Sequence, residues 1–507
     1  MAAEDVVKAL NAMNALVSLP EDLIGAKIHL VGIKGTGMAA LAELLSARGA
    51  ALSGSDVADI FYTDALLAKI GIAPRPFDAA NISGGLFCVV YSAAHADNPE
   101  LAAARQKRIP CITYADALGL LSAQSFSAGI SGVHGKTTTT GLAGTVLSQF
   151  PLPLQVLAGS SIPSFGGRCT VTKGCCYFIA ETCEYRRHFV AFCPSVIVLT
   201  SVESDHQDCF PTFRDIRDAF VDYILRLPQG GSLVYCADDA GAAETAGIAC
   251  ARRPDIVRVP YGKTAEGAYR VQSGGVRDGR QFFRVAGYEP LGVDFALCVP
   301  GEHFALNATA AVALAGIILR DAGMPAKTVF SADTARKIAE GLARFRGAKR
   351  RSEIVGTAGS LVFADDYAHH PTAIRATLAG FRAFYPRHAL VADFMSHTYS
   401  RTQALLGEFA SAFGDANTVI LHDIYASARE ERRDSGFTGE TLYEETKKHH
   451  WDAHYFAQAD GAFDFARSLL ETEQPVLFIT LGAGDNWKLG ARLYTHFAQR
   501  EEALCKA

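Results

Sequence analysis

The sequence predicts an α/β fold in three domains: an N-terminal Rossmann-like domain, a central P-loop ATPase-type α/β domain and a C-terminal Rossmann-like α/β domain. Three observations carry this. Short apolar runs of strand character alternate with helix-length segments along nearly the whole chain, as in parallel sheets joined by crossover helices. Two of the strand-to-helix junctions, at residues 32–37 and 132–135, are glycine loops of the kind that accept phosphate. The length of 507 residues exceeds what one core holds, since domains run to roughly 100 to 200 residues, so two boundaries are expected.

The first domain, residues 1–124, begins with the strand "KIHLVGI", a glycine loop, the helical "MAALAELLSARG" and a second strand "AALSGSD". "LFCVVYSA" and "IPCITY" supply further strands. The second domain, residues 125–344, opens with "SFSAGIS", the second glycine loop and the helix "KTTTTGLAGTVLSQF". "CYFIAET", "SVIVLTSV" and "GGSLVYCADD" read as its buried strands. Residues 261–298 are richer in glycine and alternate in polarity, which predicts a small antiparallel excursion. A long helix follows in "PGEHFALNATAAVALAGIILRDAG". Beyond a basic hinge near "ARFRGAKRR", the third domain, residues 345–507, carries the strands "SLVFADD", "HALVADF", "TVILHDI" and "PVLFITLGAG".

Composition narrows the function. Apolar residues make up 49% and charged residues 20%, with no low-complexity tract, so large cores can be buried. A net charge of −5 supplies no basic field for nucleic acid, and the short basic runs at residues 349–351 and 429–433 read as solvated faces. The first residues carry acids where an export signal carries cations, and no uninterrupted apolar stretch reaches about 18 residues. A cytoplasmic protein acting on small molecules, without nucleic-acid or membrane partners, is expected. Its 12 cysteines lack paired C-x-x-C spacing and read as reduced, mostly buried small apolar residues. Nothing in the sequence speaks to oligomeric state.

The first loop contains G-x-G-x-x-A, with Asp56 at the end of the next strand, 19 residues after Gly37. By itself this is a dinucleotide fingerprint, in which glycines bring backbone N–H groups and a helix N-terminus close to a pyrophosphate. A tight turn with no ligand fits it too. The second loop, "SGVHGKTTTT", departs from the usual G-x-x-x-x-G-K-[ST] spacing. Gly132 and Gly135 can still bring the main chain to phosphate oxygens, Lys136 can reach terminal phosphates, and the Thr137 hydroxyl can meet Mg²⁺. With ATP there, a pyrophosphate at the first loop is better explained as a substrate handle than as a redox cofactor.

The ordered set "GVHGKTTTT", "AETCEYRRHF", "TSVESDH", "GEHFALNATAA", "RRSE", "DDYAHHPTAI" and "FMSHTYSRT" resembles the Mur ligases over nearly the whole chain. The resemblance implies ATP- and Mg²⁺-dependent attachment of an amino acid to the lactyl carboxylate of UDP-N-acetylmuramate, through an acyl phosphate. It places ATP on Gly132, His134, Gly135, Lys136, Thr137 and Thr138, and the metal on Thr137, Glu181 and His206. His303 and Asn307, four apart on one helical face, are assigned to the adenine, Arg351 to the γ-phosphate and Asp366 to the ribose. His397 and Arg401 stand at i and i+4 if their turn is helical, and that guanidinium can grip the incoming amino acid's carboxylate as a fork. Gly35, Gly37, Met38, Asp56, Ser92, Asn98 and His370 match positions around the UDP-sugar. "DDYAHHP" also admits a metal cluster of Asp365, Asp366, His369 and His370, against the plainer reading of a strand-to-helix turn.

Other branches of the family place a modified lysine on the helix after the histidine. "FPTFRDIRDAFVDYILRL" contains none, in agreement with the branch that adds L-alanine. Departures from the family pattern are Lys34 in place of glycine, Val133 where threonine is common, "ETCE" for "EADE", and Ser201 where asparagine is frequent. The alternatives are a related ligase with a glycine, serine or recycled-peptide acceptor, an NAD-dependent oxidoreductase resting on the first loop alone, and a non-catalytic nucleotide binder.

Overall fold

The computed structural model of the chain describes residues 22–92, 95–206, 209–426 and 437–506. The charged run at residues 429–433 lies outside them. Contacts divide the chain into two compact units, one of residues 1–202, 217–269 and 310–341, the other of residues 203–216, 270–309 and 342–507.

The first unit holds two sheets. Strands β1 (Lys27–Val31), β2 (Ala51–Ser55), β3 (Cys88–Tyr91) and β4 (Cys111–Thr113) form a parallel sheet in the order β2-β1-β3-β4. Because β1 is flanked by β2 on one side and β3 on the other, the crevice of this sheet opens beyond the C-terminal end of β1, where connections leave in opposite directions. The helix α1 (Thr36–Ala47) starts there.

Strands β5 (Phe126–Ser131), β6 (Leu154–Ile162), β7 (Arg168–Thr172), β8 (Tyr177–Glu181), β9 (Val196–Leu199), β10 (Ser232–Cys236) and β11 (Val257–Tyr261) form the second sheet. Its order is β11-β10-β9-β5-β8-β6-β7, parallel except for the β6–β7 edge. β5 lies between β8 and β9, so its C-terminal end is again a switch point, and α2 (Lys136–Leu147) begins just beyond it. Both glycine loops therefore occupy the positions where open parallel sheets bind ligands. The two sheets are tied to each other. Arg48, just past α1, donates to Gln155 of β6 at 2.7 and 3.1 Å, and Thr170 of β7 donates to Glu43 of α1 at 2.8 Å.

The second unit contains the antiparallel sheet predicted between residues 261 and 298, with strands β12 (Val271–Arg277), β13 (Arg280–Val285) and β14 (Phe295–Leu297). Its larger sheet has the order β15-β16-β20-β17-β18-β19. The strands are β15 (Glu353–Ala358), β16 (Leu361–Asp366), β17 (Ala389–Phe394), β18 (Thr418–Leu421), β19 (Ala453–Tyr455) and β20 (Val476–Leu481), parallel except for β15. Four of these six were expected; β15 and β19 are additions at the edges, short or half-exposed, with little apolar signal.

Helix α3 (Phe213–Ile224) follows the segment of His206, and α4 (Glu302–Asp321) is the predicted long helix. α4 is long and apolar enough to cross a membrane, but 78% of its apolar stretch is buried within the fold, as befits a core helix. Two more helices matter below, α5 (Pro371–Phe384) and α6 (Tyr399–Ala404). The expectation that the cysteines are mostly buried needs correcting. Cys88, Cys169, Cys236 and Cys250 are buried, whereas Cys175, Cys176, Cys183 and Cys193 are exposed, because they stand in the connections around β8 rather than in strands facing the core.

Candidate active site

β5 delivers the chain into the second loop through two glycines that no other residue replaces comfortably. Gly132 has φ of 135° and Gly135 of 80°, both in the region open to glycine, and a methyl on Gly132 would overlap Thr200. The end of β9 pins the loop. Ser201 accepts from the His134 N–H at 2.9 Å and, with its carbonyl, from the Val133 N–H at 3.1 Å, while the Thr200 hydroxyl donates to the His134 carbonyl. Ser201, one of the departures from the family pattern, thus holds the loop by a short hydroxyl contact. The first-turn N–H groups of α2 face outward as an anion-binding end. Thr138 has its side chain buried in that turn, so what it presents is backbone.

Lys136 is folded onto this loop. Its ammonium donates to the Gly132 carbonyl and to the buried Glu184 carboxylate at 3.0 and 3.2 Å. Burial disfavours the cation, but Glu184, with Cys183 and Glu181 adding to it, outweighs that and holds the Lys136 pKa above its ordinary value. Lys136 therefore stays charged. Glu184 was not singled out in the sequence; it appeared only inside "ETCE", the segment that replaces the more acidic "EADE".

Glu181 ends β8 with Ile130 of β5 opposite it, two residues before the loop. One carboxylate oxygen accepts from the Thr137 hydroxyl at 2.8 Å and from the Gly159 N–H at 2.8 Å. A hydroxyl and a carboxylate side by side match the hard oxygen donors that Mg²⁺ takes. Gly159 is needed for this approach, because a methyl there would overlap the Glu181 carboxylate. Gly159→Ala should swing Glu181 away and lower kcat on the order of a hundredfold without unfolding the protein. Steady-state kinetics beside a thermal melt checks this.

At the first loop, Gly32 has φ of 78° and Gly35 caps α1. Both Asp56 oxygens are engaged by the main chain, one by the Lys34 N–H at 2.6 Å and the other by the Val57 N–H at 2.8 Å. Asp56 shapes the loop. The Lys34 ammonium donates to the Val57 and Asp59 carbonyls at 3.0 and 2.7 Å and pairs with Asp64 at 3.4 Å, which lashes residues 57–64 to the loop. Met38 is buried within α1, Ser92 follows β3, and Asn98 caps the helix Pro99–Gln106 by accepting from the Glu100 N–H at 2.9 Å. Gly37 lies against the Tyr114 ring.

The remaining candidates lie in the second unit. His206 adopts a positive φ of 53°, rare for a non-glycine residue, with its N–H on Asp205 at 2.7 Å. Arg401 donates from Nε and Nη2 to one Asp205 oxygen at 3.0 and 2.6 Å, both residues being buried. Burial opposes the Asp205 charge, but Arg401 prevails and holds that carboxyl well below the usual range. The expected helical pairing of His397 with Arg401 is not what forms. α6 starts at Tyr399, Thr398 turns at φ of 69°, and His397 instead bridges to Tyr425 and stacks on its ring at 6.0 Å.

"DDYAHHP" is a strand-to-helix turn rather than a metal cluster. Asp365 accepts from Arg350 at 2.9 Å and Thr480 at 2.7 Å, and Asp366 accepts from the Ser352 and Ala368 N–H groups at 2.5 and 2.7 Å. Asp366 is thereby spent on holding the turn, with burial raising its pKa. His369 bonds the Tyr367 carbonyl at 2.8 Å, and His370 caps α5. Glu203, also unforeseen, accepts from the Thr372 hydroxyl at 3.0 Å and lies 3.7 Å from His370. The Arg351 guanidinium sits 5.1 Å over the Tyr367 ring. His303 and Asn307 share one face of α4 as expected, and burial pushes the His303 imidazole down to about 4, keeping it neutral.

Two glycine loops at sheet switch points, one bearing a charged lysine beside a hydroxyl–carboxylate pair, define a protein that handles two phosphate-bearing ligands. The chain belongs to the Mur ligase family. Family models match in series: "Mur ligase family, catalytic domain" over residues 27–126, "Mur ligase middle domain" over 130–315, and "Mur ligase, glutamate ligase domain" over 350–484. The three-domain α/β architecture is that of the family. The chain is 49% identical to a UDP-N-acetylmuramate--L-alanine ligase of Treponema pallidum over 486 residues, covering 95% of this chain and 99% of that one. It is 36% identical to the enzyme of the same name from Desulfitobacterium hafniense, covering 92% and 99%. Among solved structures, the UDP-N-acetylmuramate-alanine ligase MurC of Thermotoga maritima superposes with a TM-score of 0.70 at 24% identity, over 94% of this chain and 99% of that one.

Proposed function

We propose that this chain is an ATP-dependent, ADP-forming ligase that joins L-alanine to the lactyl carboxylate of UDP-N-acetylmuramate in peptidoglycan precursor synthesis. The observation that carries the reading is the charged Lys136 on a glycine loop beside the Thr137–Glu181 pair, in a chain similar over nearly its full length to ligases of that name.

A lactyl carboxylate oxygen attacks the γ-phosphorus, the bond to the bridging oxygen of ADP breaks, and an acyl phosphate results. The alanine amine nitrogen then attacks the acyl carbon, phosphate leaves with its oxygen, and the ammonium gives up a proton to complete the amide. Two anions must meet in the first step, so the protein has to supply positive charge and N–H donors held in line. Lys136 and the N–H groups of Gly132 to Thr138 take the triphosphate. Thr137 and Glu181 would hold Mg²⁺, which when bound screens the reacting anions. Arg351 serves the γ-phosphate and the His303–Asn307 face the adenine. Arg401, whose Nη1 also donates to the His397 carbonyl at 3.5 Å, meets the alanine carboxylate, with His397 beside it. Gly35, Gly37, Ser92 and the segment around Asp56 take the nucleotide-sugar.

In this reading residues 1–124 hold the nucleotide-sugar, 125–344 the ATP, and 345–507 the amino acid, in the cytoplasm. Phosphate release with ATP, Mg²⁺ and UDP-N-acetylmuramate, measured against alanine, glycine, serine and a cell-wall tripeptide, tests it. Alanine is expected to give the highest kcat/KM, by about 1 to 3 kcal/mol over glycine, since one methyl decides. A higher value for the tripeptide would move the chain to the recycling ligases.

A further inference from the structure

Tyr114 opens the helix Tyr114–Ala123, and its position is set from both ends. Thr113 and Asp116 form a reciprocal cap on the first turn, with N–H to side-chain oxygen bonds of 3.1 Å in each direction. One to two turns later the helix is locked again, with Gly119 against the Ala191 carbonyl and the Ser122 hydroxyl accepting from the Cys193 N–H at 2.9 Å. The ring is thereby pressed on the first glycine loop. Its Cζ and hydroxyl lie 3.0 Å from where a β-carbon on Gly37 would stand.

Among the described residues, none makes a hydrogen bond with the Tyr114 hydroxyl. Burial and then the Glu181 charge, with Cys183 and Cys169, raise the phenol's pKa, so the O–H persists as a donor across physiological pH. The chemistry at that point is directional. On one side is the first turn of α1, whose N–H groups and dipole draw an anion. On the other is the Tyr114 hydroxyl itself, a neutral donor held against Gly37.

We propose that Tyr114 is a positioning residue for the nucleotide-sugar: its hydroxyl donates a hydrogen bond to a diphosphate oxygen held over the Gly35–Gly37 turn. This rests on the ligase reading for the identity of the ligand. It assigns the first loop a side-chain donor that its glycines lack.

Tyr114→Phe keeps the ring against Gly37 and removes only the oxygen. In the full chain, calorimetry is expected to show about ten- to a hundredfold weaker binding of UDP-N-acetylmuramate and of UDP itself, one hydrogen bond to a charged group. KM for UDP-N-acetylmuramate should rise in step, with kcat, KM for ATP and the melting temperature unchanged. Tyr114→Leu, which also surrenders the ring contact, should bind UDP no better than the phenylalanine variant. UDP binding to Tyr114→Phe at the wild-type level overturns the proposal, and so does an equal loss of ATP affinity. Wild-type protein that binds UDP-N-acetylmuramate yet releases no phosphate with alanine overturns the ligase reading instead, leaving the UDP comparison intact.

Discussion

Lys136→Ala is expected to lower acyl phosphate formation on the order of a thousandfold or more, because an ammonium aimed at the transferring phosphoryl group acts where charge builds up. Binding of UDP-N-acetylmuramate should be nearly unchanged, since the first loop and its Lys34 and Asp56 tethers make no use of Lys136. The structure adds a complication and its remedy. Removing the cation leaves the Glu184 carboxylate, only 2% exposed, without its partner. An uncompensated buried charge costs about 3 to 5 kcal/mol. The double variant Lys136→Ala, Glu184→Gln should therefore recover the melting temperature of the wild type while staying inactive. Positional isotope exchange in ATP, beside calorimetry with the nucleotide-sugar, reads both effects. Parallel loss of sugar-nucleotide affinity in the refolded double variant would refute the separation of the two loops.

Asp393→Ala should be the most damaging core substitution in the second unit. The Asp393 and His422 side chains are fully buried and joined at 2.6 Å, with the other ring nitrogen of His422 on the Phe456 carbonyl at 2.9 Å. Asn486 donates to the second Asp393 oxygen at 2.8 Å. Deleting the carboxylate strands the His422 ring nitrogen, while Asn486 keeps the Asp393 and Leu481 carbonyls, and is expected to cost about 3 to 5 kcal/mol in chemical denaturation. Burial disfavours the His422 imidazolium, but the Asp393 charge and hydrogen bond outweigh it and raise the His422 pKa above the ordinary histidine value. The sign follows from linkage. A raised folded-state pKa contributes stability that is complete below the unfolded value near 6.5 and fades as pH rises through the folded one. Stability of the wild type should fall over that window, and Asp393→Asn should flatten the slope. An unchanged slope would show that His422 is neutral throughout.

Much of this architecture was legible in residue order because buried parallel strands leave unbroken apolar runs. "SVIVL" and "PVLFITL" became β9 and β20, and both glycine loops fell at strand ends. What escaped was weakly patterned. β6 is interrupted by Gln155, Gly159 and Ser160, β15 alternates irregularly at an exposed edge, and β19 is three residues long. Among the candidate site residues, the loop members Gly132 to Thr137 and Glu181 are local to strand ends, so their meeting follows from sheet register. Asp205 and Arg401, 196 residues apart, leave no such trace.

Residue order carries the chemistry on offer: two phosphate-accepting loops, a lysine at the head of one and a carboxylate at a neighbouring strand end. Which of these groups are already committed emerges from the folded molecule. It assigned Asp366 to its own turn, Asp56 to the first loop, Arg401 largely to Asp205 and Lys136 to Glu184. The reason is physical. Periodicity and loop chemistry are properties of neighbours along the chain, whereas a buried polar group must be satisfied by whatever the fold brings within about 3 Å.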